Sequence, residues 1–440
     1  MHVGVIGGGL MGTSLAYFLA RAGQQVTLIE QNAELGGLSS TVQFDDGLTI
    51  PRYHHYLLPS EAQSLDVIDQ LDLRHSVRFR AMQSGVITNG DFSPMQSVWD
   101  LLHFDAIRLR DRLRLGYTLL RARLSNDWQA LDGISAEEWL VRVGGRSNFE
   151  EIWAPLLDAK FDYEYRDVPA TFIWGWLRRM FHQQSGASMR ASIGHLDGGF
   201  RTLIDAMAVS IVGSGGTIRT QTRVREIDLT QAHVRQVRTQ TGILHFDAVM
   251  AAIPAPEFNR LLLSAEGSYL KSLSDARYLG LICPALVVER PLSDYWTLVL
   301  TDPSSPFSSI VEMPHPTQPE LSVVYLPKYT SPNSDWMGVP DEDIRDAWML
   351  RLRQIFPTLK PEQILHFVVN RSRYVEPIHF LNSSTNLLPI RTPWEGLYLA
   401  NSSQVYPQLP TCSAIINHAQ MVALSLIQQG QAQMLIRTAA

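Results

Sequence analysis

The chain opens with the run His2-Val3-Gly4-Val5-Ile6-Gly7-Gly8-Gly9-Leu10-Met11-Gly12. The pattern G-x-G-x-x-G lies directly after a predicted strand, His2 to Ile6, and directly before a predicted apolar helix, Leu10 to Ala22. A second predicted strand, Gln25 to Glu30, completes a β-α-β unit. The opening therefore predicts an α/β fold built on a parallel sheet.

Each of the three glycines of this motif has a separate structural role. Gly7 permits a tight turn, Gly9 lets backbone N–H groups approach a pyrophosphate, and Gly12 lets the helix pack closely on the strand. Glu30 follows Gly12 by 18 residues, near the spacing at which an acid holds a ribose 2′-hydroxyl. An isolated motif is also compatible with a turn that holds no ligand, but the strand, helix and acid together predict dinucleotide binding.

The composition describes an ordinary globular protein. The 440 residues are 45% hydrophobic and 18% charged, which predicts two or three domains with a large core. A formal net charge of −6 argues against nucleic-acid binding. The two cysteines, Cys283 and Cys412, form no metal-binding cluster, so we expect no metal. With no secretory signal and no membrane-spanning run, we expect a cytoplasmic protein.

Four separated segments resemble a known family. They are Glu34 to Ser39, with paired glycines; Gly194 to Phe200, followed by Leu203; Thr222 to Ile227, with the later run Phe246 to Pro254; and Gly396 to Asn401, with the helix from Ser413. Together they resemble the flavin amine oxidase superfamily, which includes protoporphyrinogen oxidases and phytoene-type desaturases. The resemblance implies FAD, which the opening motif alone does not distinguish from NAD.

The resemblance also implies an architecture. We expect a discontinuous, Rossmann-like FAD-binding domain of the GR2 type, made of residues 1–75, 190–255 and 385–440. Residues 76–189 and 256–384 would form a mixed α+β substrate-binding domain with a helical insertion.

The superfamily's cofactor contacts transfer to particular positions of this chain. Gly36, Gly37, Leu38 and Ser39 would run beside the pyrophosphate and ribityl, and the backbone of Val224 would face the adenine. Ala400 and Asn401 stand where the commonest superfamily form has Gly-Asp, and Asn retains the ability to hydrogen-bond a ribityl hydroxyl. The helix from Ser413 would face the flavin pyrimidine. Cys412 follows this motif, so it does not match the cysteine that attaches flavin covalently in some members, and we expect noncovalent FAD.

The resemblance suggests catalytic and substrate residues as well. His54 and His55 would lie near the flavin ring, although a structural histidine is an equal alternative. Lys328 lies where several amine oxidases keep a lysine near flavin N5. Three further residues are candidates for the substrate cavity, with core packing or an ordinary surface strand as the alternatives: Trp174, Tyr374 and Glu376.

These features predict an FAD-dependent oxidoreductase that oxidises or desaturates an apolar isoprenoid, a lipid-linked molecule or an amine by hydride transfer to flavin N5. The alternatives are a non-redox enzyme resembling the UDP-galactopyranose mutases and a flavin-binding protein without turnover. The mutase would need two arginines on a diphosphate, and Arg178 and Arg179 are adjacent, so we expect them to point in different directions. The arginine-rich segment Leu101 to Leu124 predicts either peripheral membrane contact or a solvated helix. Asp105 and Asp111 reduce the positive charge of this segment.

Overall fold

The computed structural model describes residues 1–88, 90–94, 100, 108–162, 164–182, 191–230, 234, 236–263 and 265–438. Residues 101–107 of the arginine-rich segment, including Asp105, lie outside the described residues. So does the predicted domain boundary between residues 189 and 190.

Nineteen strands are found in the described part of the chain. In chain order they are β1 His2–Ile6, β2 Gln25–Ile29, β3 Thr41–Gln43, β4 Thr49–Pro51, β5 Val77–Thr88, β6 Asp91–Pro94, β7 Ala191–Leu196, β8 Thr217–Arg219, β9 Val224–Asp228, β10 Gln236–Thr239, β11 Gly242–His245, β12 Ala248–Ala251, β13 Arg277–Val288, β14 Tyr295–Leu300, β15 Ser309–Pro314, β16 Ser322–Tyr325, β17 Lys328–Thr330, β18 Ile364–Ile378 and β19 Leu397–Leu399.

The α-helices lie mainly on the first sheet and in the middle of the chain. They include Leu10–Arg21, Ala62–Gln70, Leu109–Leu124, Gln129–Asp132, Ala136–Gly144, Arg146–Asn148, Ala154–Phe161, Ala170–His182, Phe200–Gly213, Ala255–Asn259, Ser268–Asp275, Asp341–Ile355 and Cys412–Thr438.

A five-stranded sheet with the order β19-β12-β1-β2-β8 forms the first layer, and all of its strand pairs are parallel. Its central strands are buried along most of their length, as expected for strands covered on both faces. Helices Leu10–Arg21, Phe200–Gly213 and Cys412–Thr438 contribute apolar side chains to one cluster with β1 and β2. The predicted α/β fold with a parallel sheet is confirmed.

A large mixed sheet forms the second layer. Its strands run in the order β17-β13-β16-β15-β14-β5-β6, with β18 pairing β13 and β7 pairing β5. Helices between residues 109 and 182 pack into a separate apolar cluster that also contains Leu279 of β13 and Ile378 of β18. Strands β9, β10 and β11 form a small antiparallel sheet between these parts of the chain. The domain boundaries given above remain a prediction.

Three local patterns of the sequence are resolved differently in the structure. The amphipathic stretches from Leu57 to His182 predict a helical insertion, but β5 and β6 lie inside this segment. The strand-like pattern from Gly216 to Ile227 forms two strands in different sheets, divided near Gln221, whose φ is 49°. Gly430 predicts the end of the last helix, but the helix continues to Thr438, because one glycine inside a helix costs only about 1 kcal/mol.

Candidate cofactor and substrate site

The carboxyl ends of four parallel strands meet at one edge of the first sheet. Backbone bonds there join the Gly7 N–H to the Ile29 carbonyl, the Ala252 N–H to the Ile6 carbonyl and the Ala400 N–H to the Ala251 carbonyl. Ligands of open α/β sheets bind at this edge, where the strand order reverses. The predicted segments after β1, β12 and β19 are therefore brought together at the expected place.

The glycines at this edge form a cradle with free space on one side. A Cβ at Gly12 would lie 1.8 Å from the Gly7 carbonyl oxygen, so the helix can pack on the turn only if residue 12 is glycine. A Cβ at Gly9 would meet no protein atom closer than the Gly37 Cα, at 3.9 Å. Gly9 has an ordinary φ of −74°, so its backbone conformation does not require glycine. The absence of a side chain at Gly9 instead keeps the space beside it free.

The second glycine pair lies against this turn. Gly36 donates its N–H to the Gly8 carbonyl at 2.8 Å, and both Gly36 and Gly37 have positive φ values, 128° and 55°. Leu38 and Ser39 continue the segment as a short helical turn. The predicted paired-glycine segment thus borders the cradle.

Glu30 closes β2 and is buried in the carboxyl edge. One carboxylate oxygen accepts the Gly8 N–H at 2.8 Å, and the other accepts the Asn32 N–H at 2.8 Å. The Glu30 carbonyl in turn accepts the Thr222 N–H at 2.8 Å, which brings Val224, at the start of β9, toward the same end of β2. An acid and a strand backbone at this point match the positions proposed for ribose and adenine.

Asn401 is buried directly after β19, and its side chain is occupied within the protein. Its Oδ1 accepts the Ser403 N–H at 3.0 Å, and its Nδ2 donates to the Ile253 carbonyl at 3.1 Å. Asn401 therefore ties two segments of the carboxyl edge together. Any ribityl contact proposed for its side chain would compete with these bonds.

The closing helix Cys412–Thr438 begins beside a cavity. Thr411 accepts the Ala414 N–H on its hydroxyl oxygen at 3.2 Å, which is a helix N-cap contact. The Oγ of Ser413 accepts the Ser64 N–H at 3.3 Å. The first turn of this helix therefore faces the segment that leads to the cavity, as the sequence predicts for the flavin side.

This cavity, the substrate cavity hereafter, has a volume of ≈410 Å³. It lies between the helices Ala154–Phe161 and Ala170–His182, strands β17 and β18, and the loop before the closing helix. Its walls are largely aromatic and aliphatic: Tyr56, Trp153, Leu156, Leu157, Phe172, Ile173, Trp176, Tyr329, Leu409 and Pro410. Its volume and apolar lining are typical of small-molecule sites.

A single ion pair lies in the wall of the substrate cavity. Lys160 Nζ is 2.5 Å from Glu376 Oε2 and 3.7 Å from the centre of the Tyr329 ring. Burial alone would lower the pKa of Lys160, but the charge of Glu376 outweighs it and raises that pKa above its usual range. Lys160 is therefore protonated at neutral pH.

A second ion pair borders the cavity near the closing helix. Arg179 Nη2 is 3.2 Å from Glu61 Oε1, and the guanidinium carbon lies 4.6 Å from the centre of the Tyr56 ring. Burial raises the pKa of Glu61, and Arg179 opposes this effect. Arg179, Leu409 and Thr411 also line a second cavity of ≈590 Å³, so these side chains separate the two cavities.

Both predicted histidines line the substrate cavity. Burial lowers the pKa of His54 to about 3 and also lowers the pKa of His55. His55 Nδ1 lies 3.0 Å from the Tyr53 carbonyl, whereas His54 Nδ1 is buried with no hydrogen-bond partner among the described residues. His54 is thus neutral near pH 7, and its Nδ1 is able to form a hydrogen bond with a group in the cavity.

The other predicted residues are not all in this cavity. Glu376 lines this cavity. Tyr374, two residues earlier on β18, instead packs edge-on to Tyr278, and its hydroxyl oxygen lies 3.4 Å from Arg260 Nη2. Trp174 lines the second cavity and donates its indole N–H to the Ser125 carbonyl at 2.9 Å. Lys328 lines a different pocket, with its Nζ 5.3 Å from the Trp336 ring centre.

The sequence alone predicts no role for Lys160 or Arg179 at the cavity. One signal was available for Lys160, because the sequence contains only four lysines and one of them falls in the aromatic stretch between Trp153 and Trp176. No local pattern pairs it with Glu376, which is 216 residues away.

The parallel sheet, its glycine cradle and the adjoining aromatic cavity define a dinucleotide-binding enzyme. The family model for flavin containing amine oxidoreductases matches residues 12–416, and the chain belongs to that family. It is 23% identical to the 15-cis-phytoene desaturase of Arabidopsis thaliana, over 97% of this chain and 80% of the relative.

Solved structures show the same fold. A candidate protoporphyrinogen oxidase from Exiguobacterium sp. 255-15 superposes with a TM-score of 0.76 at 18% identity, covering 97% of this chain and 99% of the other. A reduced UDP-galactopyranose mutase gives a TM-score of 0.76 at 15% identity, covering 97% and 96%. The predicted resemblance is confirmed by the family match, and the protein is an FAD-dependent oxidoreductase that acts on a small molecule.

FAD fits the cradle. The free space beside Gly9 lies at the start of the helix Leu10–Arg21, where the motif predicts a pyrophosphate, and Glu30 closes β2 at the same edge, where the motif predicts the ribose.

Proposed function

We propose that the protein oxidises or desaturates a relatively apolar small molecule, of the isoprenoid, lipid-linked or amine class, inside the substrate cavity. The observation that carries this proposal is the aromatic lining of that cavity at the start of the closing helix. When bound, FAD would supply the hydride acceptor for a substrate C–H bond, at flavin N5. Phytoene desaturases among the relatives act on substrates of this apolar kind, which supports the proposal.

The side chains of the cavity perform three tasks. Trp153, Phe172 and Trp176 exclude water and hold an apolar substrate by surface contact. The Lys160–Glu376 pair offers one localised polar contact that orients a substrate group. His54, neutral through its lowered pKa, adds a hydrogen-bonding ring nitrogen.

We propose that FAD is held without a covalent bond. Burial raises the pKa of the Cys412 thiol to about 12, so little thiolate forms at neutral pH, and the thiolate is the reactive species. Cys283 is fully buried in the mixed sheet.

The mutase alternative is not favoured by the arginines. Arg178 and Arg179 both line the second cavity, although we expected them to diverge. Arg179 is bound to Glu61, and Arg178 donates to the Ser125 carbonyl and to Asn126 at 2.9 Å. To be bound by both arginines, a diphosphate would have to displace Glu61 from Arg179. Its negative charge would otherwise lie against the negative charge of Glu61.

The test is anaerobic mixing of the holoprotein with a panel of isoprenoids, lipid-linked alcohols and amines, followed by loss of the oxidised flavin absorption. We expect bleaching by an apolar member and slower bleaching in Trp176→Ala, whose ring packs edge-on to Trp153 at 6.2 Å. UDP-galactopyranose is the control. Rearrangement of this sugar by the reduced protein, with no bleaching by the panel, would contradict the proposal.

Peripheral membrane contact belongs to the same proposal, since a substrate of this kind partitions into lipid. Among the described residues, no helix is long and apolar enough to cross a membrane.

A further inference from the structure

Two tyrosine rings in the wall of the substrate cavity each lie against a cation of the chain itself. Lys160 Nζ is 3.7 Å from the centre of the Tyr329 ring, and the guanidinium carbon of Arg179 is 4.6 Å from the centre of the Tyr56 ring. A cation within about 6 Å of an aromatic centre is attracted by the negative face of the ring. Both tyrosines therefore contact a positive group before any substrate enters.

A carboxylate accompanies each of these cations. Glu376 Oε2 is 2.5 Å from Lys160 Nζ, and Glu61 Oε1 is 3.2 Å from Arg179 Nη2. Among the described residues that line the substrate cavity, Glu376 is the only acidic one. A carboxylate beside an aromatic face is an arrangement that recognises an alkylammonium ion. At Tyr329 this arrangement is occupied by the ammonium group of Lys160.

Three segments of the chain hold Lys160 in this position. Lys160 lies in the last turn of the helix Ala154–Phe161, whereas Tyr329 lies on β17 and Glu376 on β18. Both strands pair with β13, so one sheet fixes the ring and the carboxylate. The side chains of Lys160 and Glu376 are 22% and 18% exposed, so water screens their charges only in part. Displacing the ammonium group would leave a charge without its partner in a largely apolar cavity, which is costly.

We propose that Lys160 occupies the ammonium-binding position of the substrate cavity and thereby makes the cavity selective for uncharged apolar substrates. A substrate ammonium would have to separate Lys160 or Arg179 from its carboxylate, which leaves a like charge unpaired nearby. An isoprenoid or a lipid-linked alcohol meets no such cost, because it needs only the aromatic and aliphatic walls. This inference rests on the proposed function and narrows it, since alkylamines are removed from the three substrate classes.

The first experiment returns the ammonium group to a variant that lacks it. Lys160→Ala removes the side chain beyond Cβ, and propylammonium supplies the same carbon chain and charge. Calorimetric titration of the K160A holoprotein with propylammonium chloride, at constant ionic strength, should give a dissociation constant at least about tenfold lower than that of the wild type. Propan-1-ol, which has the same size without the charge, should bind K160A less tightly than propylammonium does.

Two control variants isolate the carboxylate and the position. K160A/E376Q lacks the acid and should bind propylammonium no better than the wild type does. K271A removes an exposed lysine from the helix Ser268–Asp275 and should also show no gain. Thermal melts establish that each variant is folded. A folded K160A that binds propylammonium no better than the wild type or K160A/E376Q would overturn the inference.

The second experiment uses the wild type and depends on no variant. The holoprotein is titrated with hexylammonium chloride and with hexan-1-ol, which share a carbon chain and differ in charge. We expect hexan-1-ol to bind at least about tenfold more tightly, because only hexylammonium must compete with Lys160. Equal binding of the two compounds, or tighter binding of hexylammonium, would contradict the role given to Lys160.

Flavin bleaching by the panel of apolar compounds is measured on the same wild-type preparation. A flavin that no compound bleaches would contradict the proposed function, whereas the two binding experiments decide the role of Lys160 without turnover. Failure of this inference and failure of the proposed function are therefore told apart.

Discussion

Gly9 and Gly12 are both glycines of one motif, yet the structure requires them for different reasons. A side chain at residue 12 collides with the protein itself, whereas a side chain at residue 9 enters space that the protein leaves free. The first glycine therefore serves packing and the second serves the ligand.

This difference predicts separate effects for two variants. Gly9→Ala should lower FAD affinity at least about tenfold, a loss of about 1.4 kcal/mol of binding free energy, while the melting temperature of the apoprotein stays near that of the wild type. Gly12→Ala should lower the apoprotein melting temperature itself. Flavin titration and thermal melts of both apoproteins check this. An apoprotein that Gly9→Ala destabilises as much as Gly12→Ala would show that residue 9 is needed for packing.

At the substrate cavity, the Lys160–Glu376 pair predicts a stability change. Glu376→Gln leaves the Lys160 ammonium without its carboxylate and should reduce the free energy of unfolding by about 3 kcal/mol. The double variant Lys160→Met/Glu376→Gln should recover much of that loss. Urea unfolding gives both values, and Glu257→Gln, in an exposed pair with Arg260, is the control and should cost less than about 1 kcal/mol. Equal losses in the single and double variants would contradict the account of a partly buried ion pair.

The pair also has a pH dependence of known sign. The pKa of Lys160 is raised in the folded protein, so its stabilising contribution is present in full below the unfolded lysine pKa, about 10.4, and is lost only as the pH rises through the folded value. Between neutral pH and about pH 9, the wild type should therefore lose no stability through Lys160.

At the scale of elements, Glu61 and Arg179 connect the start of the helix Ala62–Gln70 to the helix Ala170–His182. Arg179→Gln removes the charge that opposes burial, so the pKa of Glu61 should rise further. The folded variant then binds a proton at a pH where the unfolded carboxyl, with a pKa of about 4.3, is ionised, and its stability increases as the pH falls.

The expected deficit relative to the wild type is about 3 kcal/mol near pH 8 and smaller near pH 5. Urea unfolding at the two pH values measures it, with Arg260→Gln, in an exposed pair with Glu257, as the surface control. A deficit that does not change with pH would mean that Glu61 is not the group left uncompensated.

Elements defined by local patterns were predicted well, and those defined by pairing were not. The β-α-β opening is predictable because its glycine motif and the apolar runs on either side of it are all local in the sequence. Strand β5 was missed, although Val77-Arg78-Phe79-Arg80-Ala81 alternates apolar and charged residues, as a half-buried strand does. The segment Leu101 to Leu124 was predicted as a basic amphipathic or solvated helix, but the burial of Asp111 was not predicted, because it depends on packing against Ser147.

At the scale of the whole molecule, the first sheet gathers strands from widely separated parts of the chain. β2 and β8 are 188 residues apart in sequence from Ile29 to Thr217, and β19 comes after the entire mixed sheet. Family resemblance could place the cofactor segments because each is a short motif. It could not place Lys160 beside Glu376 and Tyr329, since three chain segments form that contact and none carries a signal of the others.

Because these strands form one sheet beside the cradle, FAD should stabilise the chain as a whole. At an FAD concentration of 100 times Kd, the free energy of unfolding should increase by about 2.7 kcal/mol, and the melting temperature should rise. For a tenfold loss of affinity, Gly9→Ala should reduce this gain to about 1.4 kcal/mol at the same FAD concentration. Denaturation followed by filtration should release all of the flavin as FAD, and flavin retained on the chain would contradict noncovalent binding.

The central claim is that an apolar substrate loses a hydride inside the aromatic cavity. Its most direct test is the anaerobic rate of flavin reduction with a protiated and a deuterated form of the apolar compound that bleaches the holoprotein. The account predicts complete bleaching that is slower with the deuterated compound, because the C–H bond breaks in that step. A flavin that stays oxidised with every apolar compound, or one that is reduced at a rate unaffected by deuterium, would contradict the claim.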